Sequence, residues 1–297
     1  MKKLPFIGSG VALVTPFTED NRIDYDTLSE LIQMHIRHKT DAIIVCGTTG
    51  EASTLTDDEQ EELISFSVKC ANGKIPVIAG AGSNNTSALI IKAKRAENAG
   101  ACAVLSVTPF YNKANLCGIT AHYENLAQAI DIPIIIYNVP SRTGMSIPVE
   151  ALSRLAKIDN IVGIKESSGN VAFASKIRYL VPDIGIYSGN DDIAVPVMAL
   201  GGVGVISVCA NIFPDRVHDM CSLMHDGKTA DAAKLQNELC VVNEKLFCEV
   251  NPIPVKTAMN LMGLSAGKLR LPLCDMTDNN LAFLKNVMEK LDMIKRN

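Results

Sequence analysis

Short apolar runs alternate with longer amphipathic stretches along most of the chain. The runs are Val11–Val14, Ala42–Cys46, Val77–Gly80, Ala103–Val107, Ile134–Tyr137, Ile161–Lys165, Ile184–Ser188 and Val203–Val208. They are compact and rich in β-branched residues, as strands covered on both faces require. Between them, apolar residues recur at helical spacing. Tyr25, Leu28, Leu31, Ile32, His35 and Ile36 form one such face, with Asp24 placed to cap it. Thr56-x-x-Glu59 is a capping box that opens another helix, and Ala151, Leu152 and Leu155 continue the pattern after Pro148. About eight strand–helix units, spaced roughly 20–35 residues apart, predict a (β/α)8 barrel of the TIM type. The competing doubly wound sheet carries G-x-G-x-x-G after its first strand. Gly80-Ala-Gly82-Ser-Asn-Asn85 and Gly201-Gly202-Val-Gly204 both depart from that pattern, and no P-loop occurs.

After Phe213-Pro214 the strand-like runs cease, and from about residue 228 the pattern is helical. Asn251-Pro252-Ile253-Pro254 must interrupt the helices there, because proline does not fit a regular helix interior. Leu281, Leu284, Val287, Met288 and Leu291 predict a final amphipathic helix. The expected organisation is a barrel over 1–227 carrying the active site and a C-terminal helical extension over 228–297 packed on it.

Composition narrows the possible functions. With 297 residues, 47% of them hydrophobic, the chain can bury a core large enough to exclude disorder. A net charge of −4 gives no basic field for nucleic acid or anionic lipid, and no apolar run approaches the ~20 residues of a membrane span. Lys2 and Lys3 give a short basic start. Pro5, Gly8 and Gly10 then interrupt the chain, and Thr15-Pro16 closes the apolar stretch Val11–Val14, so no signal peptide is expected. The nine cysteines are odd in number and contain no C-x-x-C, which suits reduced thiols in a cytoplasm.

A barrel of this kind places its active site at the C-terminal ends of the strands. Those ends supply Thr15, Thr48-Thr49, Gly80, Thr108, Tyr137, Lys165, Ser188-Gly189 and Ser207, a ring of hydroxyls with one phenol, one lysine, no carboxylate pair and no histidine. Lys165 shares a strand face with Gly163, which would leave room for its stem if that face points inward. A sheltered ammonium loses solvation, which favours the neutral, nucleophilic amine and Schiff-base chemistry with a carbonyl. An isolated lysine at a strand end more often reaches solvent; the hydroxyl ring around Lys165 tips the reading towards chemistry. Tyr137 could move protons, although a lone tyrosine is ordinarily a core residue. The glycine-flanked Thr48-Thr49 turn could hold a carboxylate on its backbone N–H groups, or be an ordinary turn. Arg142 could grip a carboxylate in bidentate fashion, or be a solvated loop arginine. No metal site is expected, since His35-x-x-His38 lacks the zinc-binding pattern.

Gly47-Thr48-Thr49-Gly50-Glu51, Tyr137-Asn138-Val139-Pro140-Ser141-Arg142-Thr143-Gly144, Gly163-Ile164-Lys165-Glu166 and Glu249-x-Asn251-Pro252-Ile253-Pro254-Val255-Lys256 together resemble the dihydrodipicolinate synthase family of Schiff-base aldolases. The resemblance runs over essentially the whole chain, through Leu269-Arg270-Leu271-Pro272-Leu273. It implies a lyase that binds pyruvate on Lys165 as an imine and condenses the enamine with L-aspartate 4-semialdehyde, the first step of diaminopimelate and lysine biosynthesis. It further implies that no separate cofactor is needed, the imine being the electron sink. By the same resemblance Tyr137, Thr48 and Tyr111 form a proton relay, with Tyr111 lent by a neighbouring subunit of a homo-oligomer, commonly a tetramer built from tight dimers. Thr49 and the Ile206 backbone would hold pyruvate, Arg142 the carboxylate of the second substrate, and Gly189 would offer its carbonyl to the imine. The alternative on the same scaffold is N-acetylneuraminate lyase or another 2-keto acid aldolase, against which Arg142 speaks; a non-catalytic keto-acid sensor would bind pyruvate without a covalent adduct. Feedback-regulated relatives bind lysine at positions matching Asp57, Gln60, Ala88 and Phe110. Ala88 lacks a carboxylate and Phe110 a phenol, so weak or absent lysine inhibition is expected.

Overall fold

The alternation of buried strands and amphipathic helices closes on itself. The computed structural model describes residues 2–295. Its strands are β1 (Gly8–Ala12), β2 (Ala42–Val45), β3 (Val77–Gly80), β4 (Ala103–Val107), β5 (Ile134–Asn138), β6 (Ile161–Glu166), β7 (Gly185–Ser188) and β8 (Gly204–Ser207). They pair in chain order, all parallel, and β8 returns to β1. Helices fill the connections, as the right-handed crossover between parallel strands demands.

Strand alternation divides the apolar residues into two clusters. Ala42, Ile44, Ile78, Leu105, Ile135 and Ile206 point into the barrel, whereas Ile43, Val45, Val77, Val104, Ile134 and Val205 face the surrounding helices. This explains why the strands read as continuous apolar runs: both faces are dry. The bottom of the barrel is sealed by the N-terminal segment. Phe6 stacks on Tyr187 with ring centroids 4.5 Å apart, the Tyr187 hydroxyl donates to the Phe6 carbonyl at 2.6 Å, and Lys2 donates to the carbonyls of Ile158 and Ile161.

The helix starts obey the capping chemistry. Asp24 accepts from the Thr27 N–H at 3.0 Å and opens the helix Tyr25–Arg37. Thr56 and Glu59 cap each other reciprocally at the start of Asp57–Ala71. β1 begins three residues earlier than its apolar run, because Gly8-Ser9-Gly10 carries no hydrophobic signal; a Cβ on Gly10 would meet Phe6 and Ile44 at 2.7 Å. Past the last barrel helix, Pro214–His225, come the helices Thr229–Leu246, Ile253–Leu261 and Asp278–Lys290. Pro254 sits in the first turn of the second of these, where its missing N–H costs nothing. Leu239, Val242, Met259 and Leu284 from these helices join the same apolar cluster as the outer faces of the strands. No helix among the described residues is long and apolar enough to cross a membrane.

Candidate active site

Register across three adjacent strands assembles the centre of the site. Tyr137 on β5 pairs with Lys165 on β6, which pairs with Tyr187 on β7, so the three side chains share one inward-facing layer. Lys165 is only 6% exposed, and its Nζ lies 4.4 Å from the centroid of the Tyr137 ring. A cavity of about 170 Å³ opens above this layer at the C-terminal ends of the strands, lined by Thr48, Thr49, Tyr137, Arg142, Lys165 and Gly189 among others. A larger lobe of about 350 Å³ continues from it, sharing Thr48, Tyr137 and Arg142.

Six of the eight residues expected at the site therefore line one cavity. Ile206 is buried among the inward residues of β8 and is not part of the lining. Tyr111 stands apart from its own chain's cavity, 91% exposed, in the loop after β4 with a left-handed backbone (φ 66°).

Two details of the expected ring are corrected. Gly163 does not make room for the lysine stem: a Cβ there would meet the Tyr187 ring at 3.2 Å. The glycine that admits Lys165 is Gly189, where a Cβ would stand 2.9 Å from Lys165 Cε and overlap the Ser167 hydroxyl. Three ring hydroxyls are also engaged in structure. Thr15 Oγ1 donates to the Gly50 carbonyl at 2.7 Å, Ser188 Oγ to the Asn190 carbonyl at 2.7 Å, and Ser207 Oγ to Asp191 at 2.5 Å.

Three carboxylates lie just behind the site, one of them, Glu166, at the end of β6 itself. Asp191 accepts from Ser207 and from the N–H groups of Val208 and Cys209 at 2.9 and 3.1 Å; burial raises its pKa, opposed by these hydrogen bonds and by the Lys165 charge. Glu166 points away from Lys165 by strand alternation, accepts from Asn138 at 2.7 Å and the Ser168 N–H at 2.6 Å, and is likewise shifted upward by burial. Glu51 forms a sealed ion pair with Lys256 at 2.8 Å, the two side chains 0% and 1% exposed. Burial lowers the Lys256 pKa, and the Glu51 charge opposes that shift.

Asn251 is the contributor that strand-end reasoning could not supply. It lines the cavity, donates through Nδ2 to Thr49 Oγ1 at 3.0 Å, and its carbonyl accepts from the Arg142 guanidinium at 3.1 Å. One residue thus steadies both Thr49 and Arg142. Its only sequence signal is the Asn-Pro-Ile-Pro motif, which reads as a helix break. Ser167 and Phe247 also line the cavity, and no sequence signal points to either.

The larger lobe contains Gln60, Phe110 and Lys92. Lys92 pairs with Asp57 at 2.9 Å, and Ala88 is not part of the lining of this lobe. Cys46 also faces this lobe, and burial pushes its thiol up to about 12, which leaves it unreactive at neutral pH. Among the described residues no group of three or more His, Cys, Asp or Glu side chains is arranged to hold a metal ion.

Known proteins share this fold. The model of the dihydrodipicolinate synthetase family matches residues 5–291. A curated relative, the 4-hydroxy-tetrahydrodipicolinate synthase of Clostridium novyi (strain NT), is 52% identical over 292 residues, covering 98% of each chain. Among solved structures, the dihydrodipicolinate synthase from Aquifex aeolicus superposes with a TM-score of 0.95 at 42% identity, covering 98% of this chain and 100% of the other. The Acinetobacter baumannii enzyme complexed with pyruvate gives 0.95 at 40% identity, over 97% and 99% of the two chains. By sequence over nearly its whole length and by the shape of its barrel, this chain belongs to the dihydrodipicolinate synthetase family.

Proposed function

We infer that the chain catalyses the 4-hydroxy-tetrahydrodipicolinate synthase reaction, condensing pyruvate with L-aspartate 4-semialdehyde through a Schiff base on Lys165. The observation that carries this reading is a lysine 6% exposed, facing the barrel interior beside the Tyr137 ring, at the floor of a cavity with arginine at its rim. The neutral amine of Lys165 adds to the keto carbon of pyruvate, and the resulting carbinolamine loses its hydroxyl as water with a proton delivered by Tyr137. A C3 proton then leaves, and the C–H electron pair flows into the iminium to give the enamine. The enamine carbon attacks the aldehyde, and the new alkoxide takes a proton from the relay. The amino group of the second substrate finally displaces Lys165 from C2, closing the ring and restoring the amine.

Each remaining group has a physical role in this sequence. Thr49 donates to the pyruvate carboxylate: its oxygen already accepts from Asn251, which frees its own proton for the substrate. Gly189 presents its carbonyl to the imine. Arg142 takes the carboxylate of the aldehyde in fork geometry, which favours this substrate over the neutral sugar of a sugar-acid aldolase. Thr48 passes protons between Tyr137 and Tyr111 of a neighbouring subunit. The almost complete exposure of Tyr111 supports its loan across a dimer, within a homotetramer. No separate cofactor takes part, because the imine is the electron sink. Nine unpaired cysteines fit a reducing compartment, the cytoplasm.

The test is a coupled assay of pyruvate with either aspartate 4-semialdehyde or N-acetylmannosamine. Turnover with the former alone is expected; preference for the sugar would overturn the reading. In the same assay millimolar L-lysine leaves the rate nearly unchanged, because Ala88 offers no carboxylate and Phe110 no phenol to an ammonium ligand. Strong inhibition at submillimolar lysine would contradict that part of the account.

A further inference from the structure

The turn that carries Thr48 and Thr49 is bracketed by two residues, Cys46 and Glu51, both with φ 54°. A side chain with a Cβ adopts this left-handed backbone reluctantly and keeps it only where surrounding contacts fix it. Those contacts converge on Lys256. Its ammonium donates to Glu51 Oε1 at 2.8 Å, the Thr15 carbonyl at 3.0 Å and the Lys268 carbonyl at 2.5 Å, which uses all three of its donors. The other Glu51 oxygen accepts from the Arg270 N–H at 3.0 Å, and Thr15 Oγ1 holds the Gly50 carbonyl from the opposite side. Phe17 lies between two cations, 4.5 Å from Lys256 Nζ and 4.3 Å from the Arg270 guanidinium. Five residues before Lys256, Asn251 holds Thr49. The segment 251–256 therefore grips the turn at Thr49 and again at Glu51.

We propose that the buried Glu51–Lys256 pair is a positioning device that sets Thr48 and Thr49 for the reaction, so that the helices after the barrel form part of the active-site machinery. This rests on the Schiff-base reading of Lys165. Neither side chain reaches the cavity, so both act through the turn. Thr48 lies in the proton relay and Thr49 on the pyruvate carboxylate. A slackened turn therefore lowers kcat through the first and raises the pyruvate KM through the second.

The test compares the wild type, Glu51→Gln/Lys256→Met, Glu51→Gln alone, and Leu284→Ala as a destabilised control whose side chain packs in the last helix, away from the site. Removing both charges avoids an unpaired buried ion while losing the grip. The double variant is expected to melt no lower than the control, yet to show kcat reduced by about 10- to 100-fold, as a displacement near 1 Å produces, with a raised pyruvate KM. Borohydride trapping of pyruvate is slowed in parallel. Leu284→Ala keeps wild-type kinetics below its melting temperature. Should the double variant fail to fold, Glu51→Gln is judged by the same kinetic criteria. Wild-type kcat, KM and trapping rate in a folded Glu51 variant would overturn the proposal while leaving the Schiff-base reading intact. Failure of the wild type to trap pyruvate would remove both.

Discussion

Tyr137→Phe is expected to lower kcat by about 10²- to 10⁴-fold, the range that loss of a positioned proton donor produces, while shifting the pyruvate KM little. The substitution is informative because it removes one atom. Tyr137 is buried in β5, in register with Val107 and Lys165, and phenylalanine keeps the ring 4.4 Å from Lys165 Nζ. Packing and shelter of the amine survive, so pyruvate still binds. Every proton transfer in carbinolamine breakdown and in capture of the alkoxide loses its carrier. A variant whose kcat stays within about 5-fold of wild type, well short of that general-acid range, would assign the relay to other groups.

The largest stability effect is expected at Lys256. Lys256→Met leaves the Glu51 carboxylate charged, 0% exposed and without its partner, a loss that costs about 3–5 kcal/mol. For a chain of this size that corresponds to a fall in melting temperature of roughly 5–8 °C. Replacing both partners, as in Glu51→Gln/Lys256→Met, recovers most of this, because a buried ion pair and its neutral replacement differ far less than a pair and a half-pair. The measurement is thermal or urea unfolding of the two variants beside wild type. Equal stability of the single and double variants would show that the pair carries no coupled energy.

Much of the fold is readable because barrel strands are dry on both faces. β3 and β4 match their apolar runs residue for residue. β1 is displaced because its first residues are Gly8, Ser9 and Gly10. The inward direction of Lys165 comes from strand parity once its strand end is known. What parity cannot give is which neighbouring side chain a glycine accommodates: Gly163 serves Tyr187 on the adjacent strand, and Gly189, from the loop after that strand, admits the lysine. The same limit hides the engagement of Thr15, Ser188 and Ser207, whose residue types suit catalysis as well as turn-holding.

The contacts least visible in sequence are those between distant segments. Glu51 and Lys256 are 205 positions apart and Thr49 and Asn251 are 202 apart, so no local periodicity links them. Glu51 closes one motif and Lys256 another, and only the fold shows that the two motifs meet. Asn251 stands out in sequence for its neighbouring prolines, although its amide proves to steady the threonine and its carbonyl the arginine on which the proposed chemistry depends.

The central claim is that the Lys165 amine, and no other, joins covalently to pyruvate. Lys256 makes the question sharp, because it too is a buried lysine but has all three donors engaged and does not line the cavity. The decisive measurement is reduction with borohydride in the presence of pyruvate, then mass mapping of the peptides from wild type and Lys165→Ala. The account predicts a single reduced pyruvate adduct on Lys165 that is absent from the variant, together with loss of turnover. An adduct on another lysine, or pyruvate-dependent turnover with no adduct at all, would contradict it.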